Sequence, residues 1–337
     1  MYNKVNKNKD KNIKEVFIMK VLRKLFLVLI MIFALSFAFA CSKDETDDNK
    51  QNNESGEKLE KIKVMIPGGA PLMALAGVYK TDEFEIEVVN GAENLQAALM
   101  GSEYDMVIAP LNLGAKFHTL NKTSFKLDAI ITTNNTYIVS KNSVDVNDLK
   151  GAKILAYGQN ATPDIVLKAA NQKYNLGLEF EYMASANDVT PLFIAGDESA
   201  NYILSAYPQI TQIKNKVSDA NVLNVVSLFG EDEVFPQACL FVNSKTGKDY
   251  SKHLEIIKNN INLLNEKPAE YAQSVVSKHP FLTGLGTEVL TEALPKTNIV
   301  YLKAKDNKDK VNNYIDLLNT YAPKLLEGKT VSEEFYN

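Results

Sequence analysis

Two turns rich in glycine and proline carry the residues best placed for binding chemistry. Gly68-Gly69-Ala70-Pro71 and Gly158-Gln159-Asn160-Ala161-Thr162-Pro163 each follow an apolar run and lead into a helix-like one. A helix start presents free backbone N–H groups and the positive end of its dipole, which favours a polar or anionic ligand group. Pro71 and Pro163 suit the first helical turn, where a missing N–H costs nothing, and Thr162 is expected as an N-cap. Each turn alone is commonplace in an α/β chain. Two facing helix starts together point to binding.

What the chain lacks narrows the chemistry. Arg23 is its only arginine and there is no tryptophan. Beyond residue 23 no guanidinium can clamp a carboxylate in bidentate fashion. Aromatic stacking falls to Tyr and Phe, with Tyr137, Tyr157, Tyr182 and Tyr207 as candidates, each equally at home as a structural ring. His118, His253 and His279 are far apart and none shares a ligand-like spacing, so neither a metal nor a cofactor is expected. The chain contains no Gly-x-Ser-x-Gly elbow, phosphate-binding Lys-Ser/Thr loop or Cys–His constellation, so no catalytic residue is assigned. Gly284-Leu285-Gly286 reads as a turn, and Glu231-Asp232-Glu233 as a solvated loop.

The N-terminal region has its own logic. From Met19 a short basic stretch leads into an uncharged run over residues 25–40 and then Cys41. A basic segment, an apolar segment and small residues before a cut make a secretory signal; the run is short for a spanning helix. Ala38-Phe39-Ala40-Cys41 resembles the lipobox of bacterial lipoproteins, in which the cysteine is acylated. It departs from that pattern at Ala38, where Leu is usual, and at Phe39, where a small residue is. Residues 1–40 are therefore expected to be an extension plus signal peptide with a start at Met19, and residues 41–58, polar and without apolar anchors, a disordered tether. Residues 1–24 carry eight basic and two acidic side chains, so the formal charge of −4 becomes about −10 beyond them. An acidic exported domain is a poor match for nucleic acid. Cys239, in the apolar Ala238-Cys239-Leu240-Phe241, reads as a buried small hydrophobe.

The elements that must position the two turns alternate between strand and helix. Residues 61–66, 84–90, 104–109, 153–157, 179–183 and 202–206 read as strands. Residues 72–79, 92–100, 164–174 and 189–195 read as helices, and residues 127–140 as a long β-run broken at 132–136. Such alternation predicts a mainly parallel sheet covered on both faces. From residue 250 the pattern is mostly helical, with Leu254, Ile257, Ile261 and Leu264 at helical spacing. The unit of glycine, polar turn, buried strand and proline at Gly101–Pro110 echoes at Gly196–Pro208, once in each half.

The strand running into Pro67-Gly68-Gly69-Ala70-Pro71, the Asp105-Met106-Val107-Ile108-Ala109-Pro110 strand end and Asp148-Leu149-Lys150-Gly151-Ala152-Lys153-Ile154, in that order, carry a resemblance. The chain resembles the ABC-importer solute-binding proteins of the type II periplasmic fold, within them the family serving nitrate, sulfonate and thiamine-precursor transport. That implies two α/β lobes joined by two hinge crossings near residues 132–136 and 235–240. Lobe 1 would comprise residues 59–133 and 240–337, and lobe 2 residues 134–239. The ligand would meet Gly68, Gly69, Ala70, Pro71, Gln159, Asn160, Ala161 and Thr162, with Asn112, Thr133, Asn134, Tyr207 and Gln237 behind them. The implied function is capture of a small organic or anionic solute, sulfonate-like or thiamine-precursor-like, by a monomer lipid-anchored to the outer membrane face and serving an ABC permease. The alternatives are an enzyme on the same bilobal fold, such as a menaquinone-pathway lyase, and an exported ligand sensor.

Overall fold

Strand β1 (Ile62–Pro67) sets the frame of the first lobe, because Val64, Met65 and Ile66 are buried and only a central strand covered on both faces offers that. The computed structural model describes residues 59–337; the signal segment, Cys41 and the tether over 41–58 lie outside the described residues. Around β1 stand β2 (Phe84–Val89), β3 (Met106–Pro110) and β4 (Phe125–Thr132), joined late in the chain by β10 (Ala238–Asn243) and β11 (Ile299–Lys303). The second sheet comprises β5 (Tyr137–Ser140), β6 (Lys153–Tyr157), β7 (Glu179–Met183), β8 (Tyr202–Ser205) and β9 (Asn221–Asn224). Their orders are β11-β4-β10-β3-β1-β2 and β7-β6-β8-β5-β9.

The helices of the first half are α1 (Ala70–Leu75), α2 (Ala92–Met100), α3 (Leu111–Thr119), α4 (Thr162–Tyr174), α5 (Ala186–Ala195) and α6 (Gln209–Lys216). After β10 come α7 (Ser251–Glu266), α8 (Pro268–Val275), α9 (Pro280–Ala293) and α10 (Lys308–Tyr321). Leu254, Ile257, Ile261 and Leu264 form the buried stripe of α7, as their spacing predicts. Among the described residues no helix is long and apolar enough to cross a membrane.

Several sequence expectations change. The sheets are mixed rather than mainly parallel: β1 runs parallel to β2 and β3, and β6 to β7 and β8, but β10 is antiparallel to β3 and β4, and β5 to β8 and β9. The reason is the double crossing. A chain entering or leaving a lobe delivers one strand without a helical crossover, and such a strand joins its neighbours antiparallel. Strands β9 and β11 and helix α6 carry too little periodicity to be read from sequence. Gly284-Leu285-Gly286 lies within α9 rather than in a free turn, and Gly286, at φ 78°, kinks that helix.

At the heart of lobe 1, packing is close enough to dictate a residue. Gly114 of α3 sits against the Phe241 ring of β10, and a Cβ there would lie 2.2 Å from the nearest ring carbon. Cys239 is fully buried on the same strand, and burial pushes its thiol pKa up. At the sheet edge, Asp105 accepts hydrogen bonds from the Lys63 backbone N–H (2.9 Å) and the Tyr250 hydroxyl (2.7 Å), with Lys248 Nζ at 3.3 Å. Burial opposes its charge, yet these donors hold its carboxyl below the usual range.

Overpacking at Gly114 gives a direct test: Gly114→Ala is expected to destabilise the protein by about 1–3 kcal/mol. Urea denaturation should show a lower midpoint with an unchanged slope.

Candidate functional site

The chain passes between the sheets twice, and three carboxamides lace the passage. Thr133 pairs antiparallel with Pro236. Asn134, in the left-handed region at φ 48°, donates through Nδ2 to the Glu233 carbonyl (2.6 Å) and accepts through Oδ1 from the Phe235 N–H (2.7 Å). Asparagine tolerates that conformation better than other non-glycine residues. The Asn135 amide spans the backbone of Tyr207, donating to its carbonyl (2.9 Å) and accepting from its N–H (2.8 Å). Gln237 accepts from the Asn135 N–H (3.0 Å) and donates to the Thr136 hydroxyl (2.7 Å).

Between the lobes, in front of this passage, lies a cleft of about 460 Å³. Lobe 1 contributes Gly68, Gly69, Ala70 and Pro71 from the β1–α1 turn, Asn90 and Gly91 after β2, and His279 and Phe281 from the start of α9. Lobe 2 contributes Tyr157, Ala161, Thr162 and Pro163 from the β6–α4 turn, Ser185 and Asn187 from the start of α5, and Tyr207 and Gln209 after β8. Gln237 and Asn135 of the crossing form its floor. A larger depression of about 950 Å³ is lined by Lys248, Tyr250, Lys258, Tyr301 and Lys303 among others. Every residue there belongs to lobe 1, so a ligand in it would not bridge the lobes. The cleft is the better candidate.

The sequence-derived residues divide accordingly. Gly68, Gly69, Ala70, Pro71, Ala161, Thr162, Tyr207 and Gln237 line the cleft, whereas Asn112, Thr133, Asn134, Gln159 and Asn160 do not. Thr133 and Asn134 are spent on the crossing. Asn112 is buried and donates through Nδ2 across the lobes to the Asn160 carbonyl at 3.1 Å, while its buried Oδ1 has no partner. Thr162 is not the N-cap of α4: Ala161 holds that position, and the Thr162 hydroxyl instead accepts from Tyr314 of α10 at 3.0 Å, a second contact between lobes. The loop ahead of α4 is organised by buried Asp164, which accepts from the Asn160 N–H (2.7 Å), Tyr182 (2.7 Å) and Lys168 (2.8 Å). Glu231-Asp232-Glu233 lies off the cleft, beside Asp309 and Lys310.

Sequence reading missed His279, Phe281, Asn187, Ser185 and Gln209. The only cue was an aromatic or polar residue ahead of a helix-like run. His279 caps α9, its Nδ1 accepting from the Phe281 N–H at 3.1 Å, and burial together with Lys80 lowers its pKa. That leaves the proton on Nε2 of a neutral ring. Tyr207 packs edge-on against Tyr137, with Lys296 of lobe 1 over its face at 5.7 Å. Among the described residues no three metal-ligating side chains cluster.

Neither a family model nor a curated protein matches this chain. Solved structures do. An ABC transporter structure from Parabacteroides distasonis is similar at 20% identity and TM-score 0.69, the match covering 82% of this chain and 98% of that one. The ligand-binding component of an ABC-type import system from Staphylococcus aureus, with zinc bound, is similar at 12% identity and TM-score 0.62, covering 82% and 97%. The periplasmic aliphatic sulphonate binding protein SsuA from Escherichia coli follows at 16% identity and TM-score 0.61, covering 82% and 92%. The fold is therefore the two-lobed α/β fold of the type II periplasmic-binding-protein class.

The Asn112 contact predicts how the lobes separate. Asn112→Asp replaces a donor by an acceptor facing the Asn160 carbonyl, at a cost of about 1–3 kcal/mol. Small-angle X-ray scattering should show a larger radius of gyration than wild type at equal stability of each lobe; an unchanged radius would remove Asn112 as a latch.

Proposed function

We propose that this chain is the extracytoplasmic solute-binding component of an ABC importer. It captures a small organic solute in the interlobe cleft and hands it to the permease with the lobes closed. The observation that carries this reading is the composition of the cleft wall: both lobes and the crossing contribute to it. A ligand touching both lobes binds the closed state more strongly than the open one, which is all that population shift requires. The fold shared with binding components of import systems supports the same reading.

The anchor belongs to the same proposal. Cys41, acylated after removal of the signal, would tether the domain outside the membrane through residues 41–58, keeping it near its permease. Domain boundaries at 59–133 with 240–337, and at 134–239, follow the two crossings.

Binding without turnover is the signature to measure. A solute at about 100 times its Kd stabilises the folded form by about 2.7 kcal/mol, raising Tm by several degrees, and mass spectrometry should recover it chemically unchanged. Conversion of the bound compound would replace the importer reading with an enzymatic one. Cys41→Ser should move the full-length protein from the membrane fraction to the soluble exported fraction; retention on the membrane would sink the lipid anchor.

A further inference from the structure

The side chains that line the cleft include no Asp, Glu, Lys or Arg; the ionisable ones are Tyr157, Tyr207 and His279. An ion entering this space would lose hydration against a lining with no counter-ion of its own, Lys296 standing over the Tyr207 ring at 5.7 Å but outside that lining, which is a costly way to bury a charge. Backbone N–H groups at helix starts can replace a counter-ion, but on the lobe 2 wall each of the two longer helices carries a carboxylate in its own first turn. Asp164, in the first turn of α4, takes the Asn160 N–H and forms an ion pair with Lys168 at 2.8 Å. Asp188, in the first turn of α5, accepts from both the N–H (2.9 Å) and the hydroxyl (2.8 Å) of Ser185. A ligand anion at the start of α5 would face the Asp188 charge, and at the start of α4 it would meet a carboxylate already paired with Lys168.

The remaining polar groups are of both kinds. Gln209 Nε2 donates to Asn187 Oδ1 at 3.1 Å, which leaves the Gln209 carbonyl and the Asn187 amino group free; turning both amides over would still leave one acceptor and one donor. Tyr157, Tyr207 and Asn90 line the cleft, their side chains making no hydrogen bond among the described residues, and His279 has Nε2–H left over once Nδ1 has accepted from Phe281. An oxyanion accepts only, so it would strand the carbonyl of buried Gln209. A carboxamide or lactam offers an acceptor and a donor side by side and satisfies both, with Phe281 and the tyrosine rings covering its apolar body. Sites built around such pairs reject analogues that leave a buried polar group unmatched.

We infer that the cleft selects an uncharged solute of the carboxamide or lactam class over a carboxylate or sulfonate of the same size. This rests on the cleft being the solute site. It separates the two ligand types that sequence left open, and excludes the sulfonate-like one.

The test is thermal denaturation of the signal-free protein with matched pairs of similar shape and different charge: benzamide and benzenesulfonate, nicotinamide and nicotinate, uracil and orotate, 2-pyrrolidone and pyroglutamate. At millimolar concentration at least one uncharged member should raise Tm by roughly 2–5 °C, its charged partner should give no shift, and the shift should be the same at low and high salt. A charged member that stabilises as well as or better than its partner overturns the inference while leaving the cleft as a solute site. No shift from any of the eight sinks the inference together with the cleft reading beneath it. Asn187→Lys, which places an ammonium on the lining, should confer stabilisation by nicotinate or orotate; failure of a folded variant to do so would mean that charge does not set the selectivity.

Discussion

Everything in this molecule depends on a chain that must cross between two sheets and come back. The crossing segments have no sheet of their own to satisfy their backbone, so side-chain amides supply the missing partners. Asn134 pairs with the Glu233 carbonyl and Phe235 N–H, Asn135 with both backbone groups of Tyr207, and Gln237 with Asn135 and Thr136. A buried polar backbone group left alone would cost as much as a lost hydrogen bond. The amides remove that cost and leave a joint only a few residues wide, the kind of element that can absorb a rotation between lobes.

That joint also explains the sheets. Strands β10 and β5 run against their neighbours because they are where the chain returns or departs. They are also the strands adjoining the cleft floor, so the mixed topology and the position of the cleft have one origin. The lobes meet again at Asn112 with Asn160 and at Tyr314 with Thr162. Around them one buried apolar cluster runs from Val107 and Phe241 of lobe 1 through Tyr314 to Ile165 and Ile154 of lobe 2, so the lobes share apolar packing as well as these polar contacts.

The cleft is walled by helix starts, and in lobe 2 those of α4 and α5 carry Asp164 and Asp188 in their first turns. The glycine-and-proline turns taken alone suit a polar or an anionic group, and the neighbouring carboxylates favour the polar one. What remains exposed to a ligand is a set of hydroxyls, amides and one neutral imidazole.

Local pattern was enough to place the alternation of elements, the buried stripe of α7, the two turns that reach the cleft and the segments where the chain crosses. Those features follow from local chemistry: period, proline, glycine and interruption of an apolar run. Composition also excluded a guanidinium clamp. Packing across the molecule sets the antiparallel return of β10, turns Thr162 to Tyr314 rather than to capping α4, and spends Asn134 on the crossing. Likewise His279, Phe281, Asn187 and Gln209 come to the cleft from segments up to about two hundred residues from Gly68. The physical reason is the same in each case. A hydrogen-bonding side chain has several partners it could satisfy, and which one it meets is set by the packing of elements distant in sequence, a quantity that no local pattern contains.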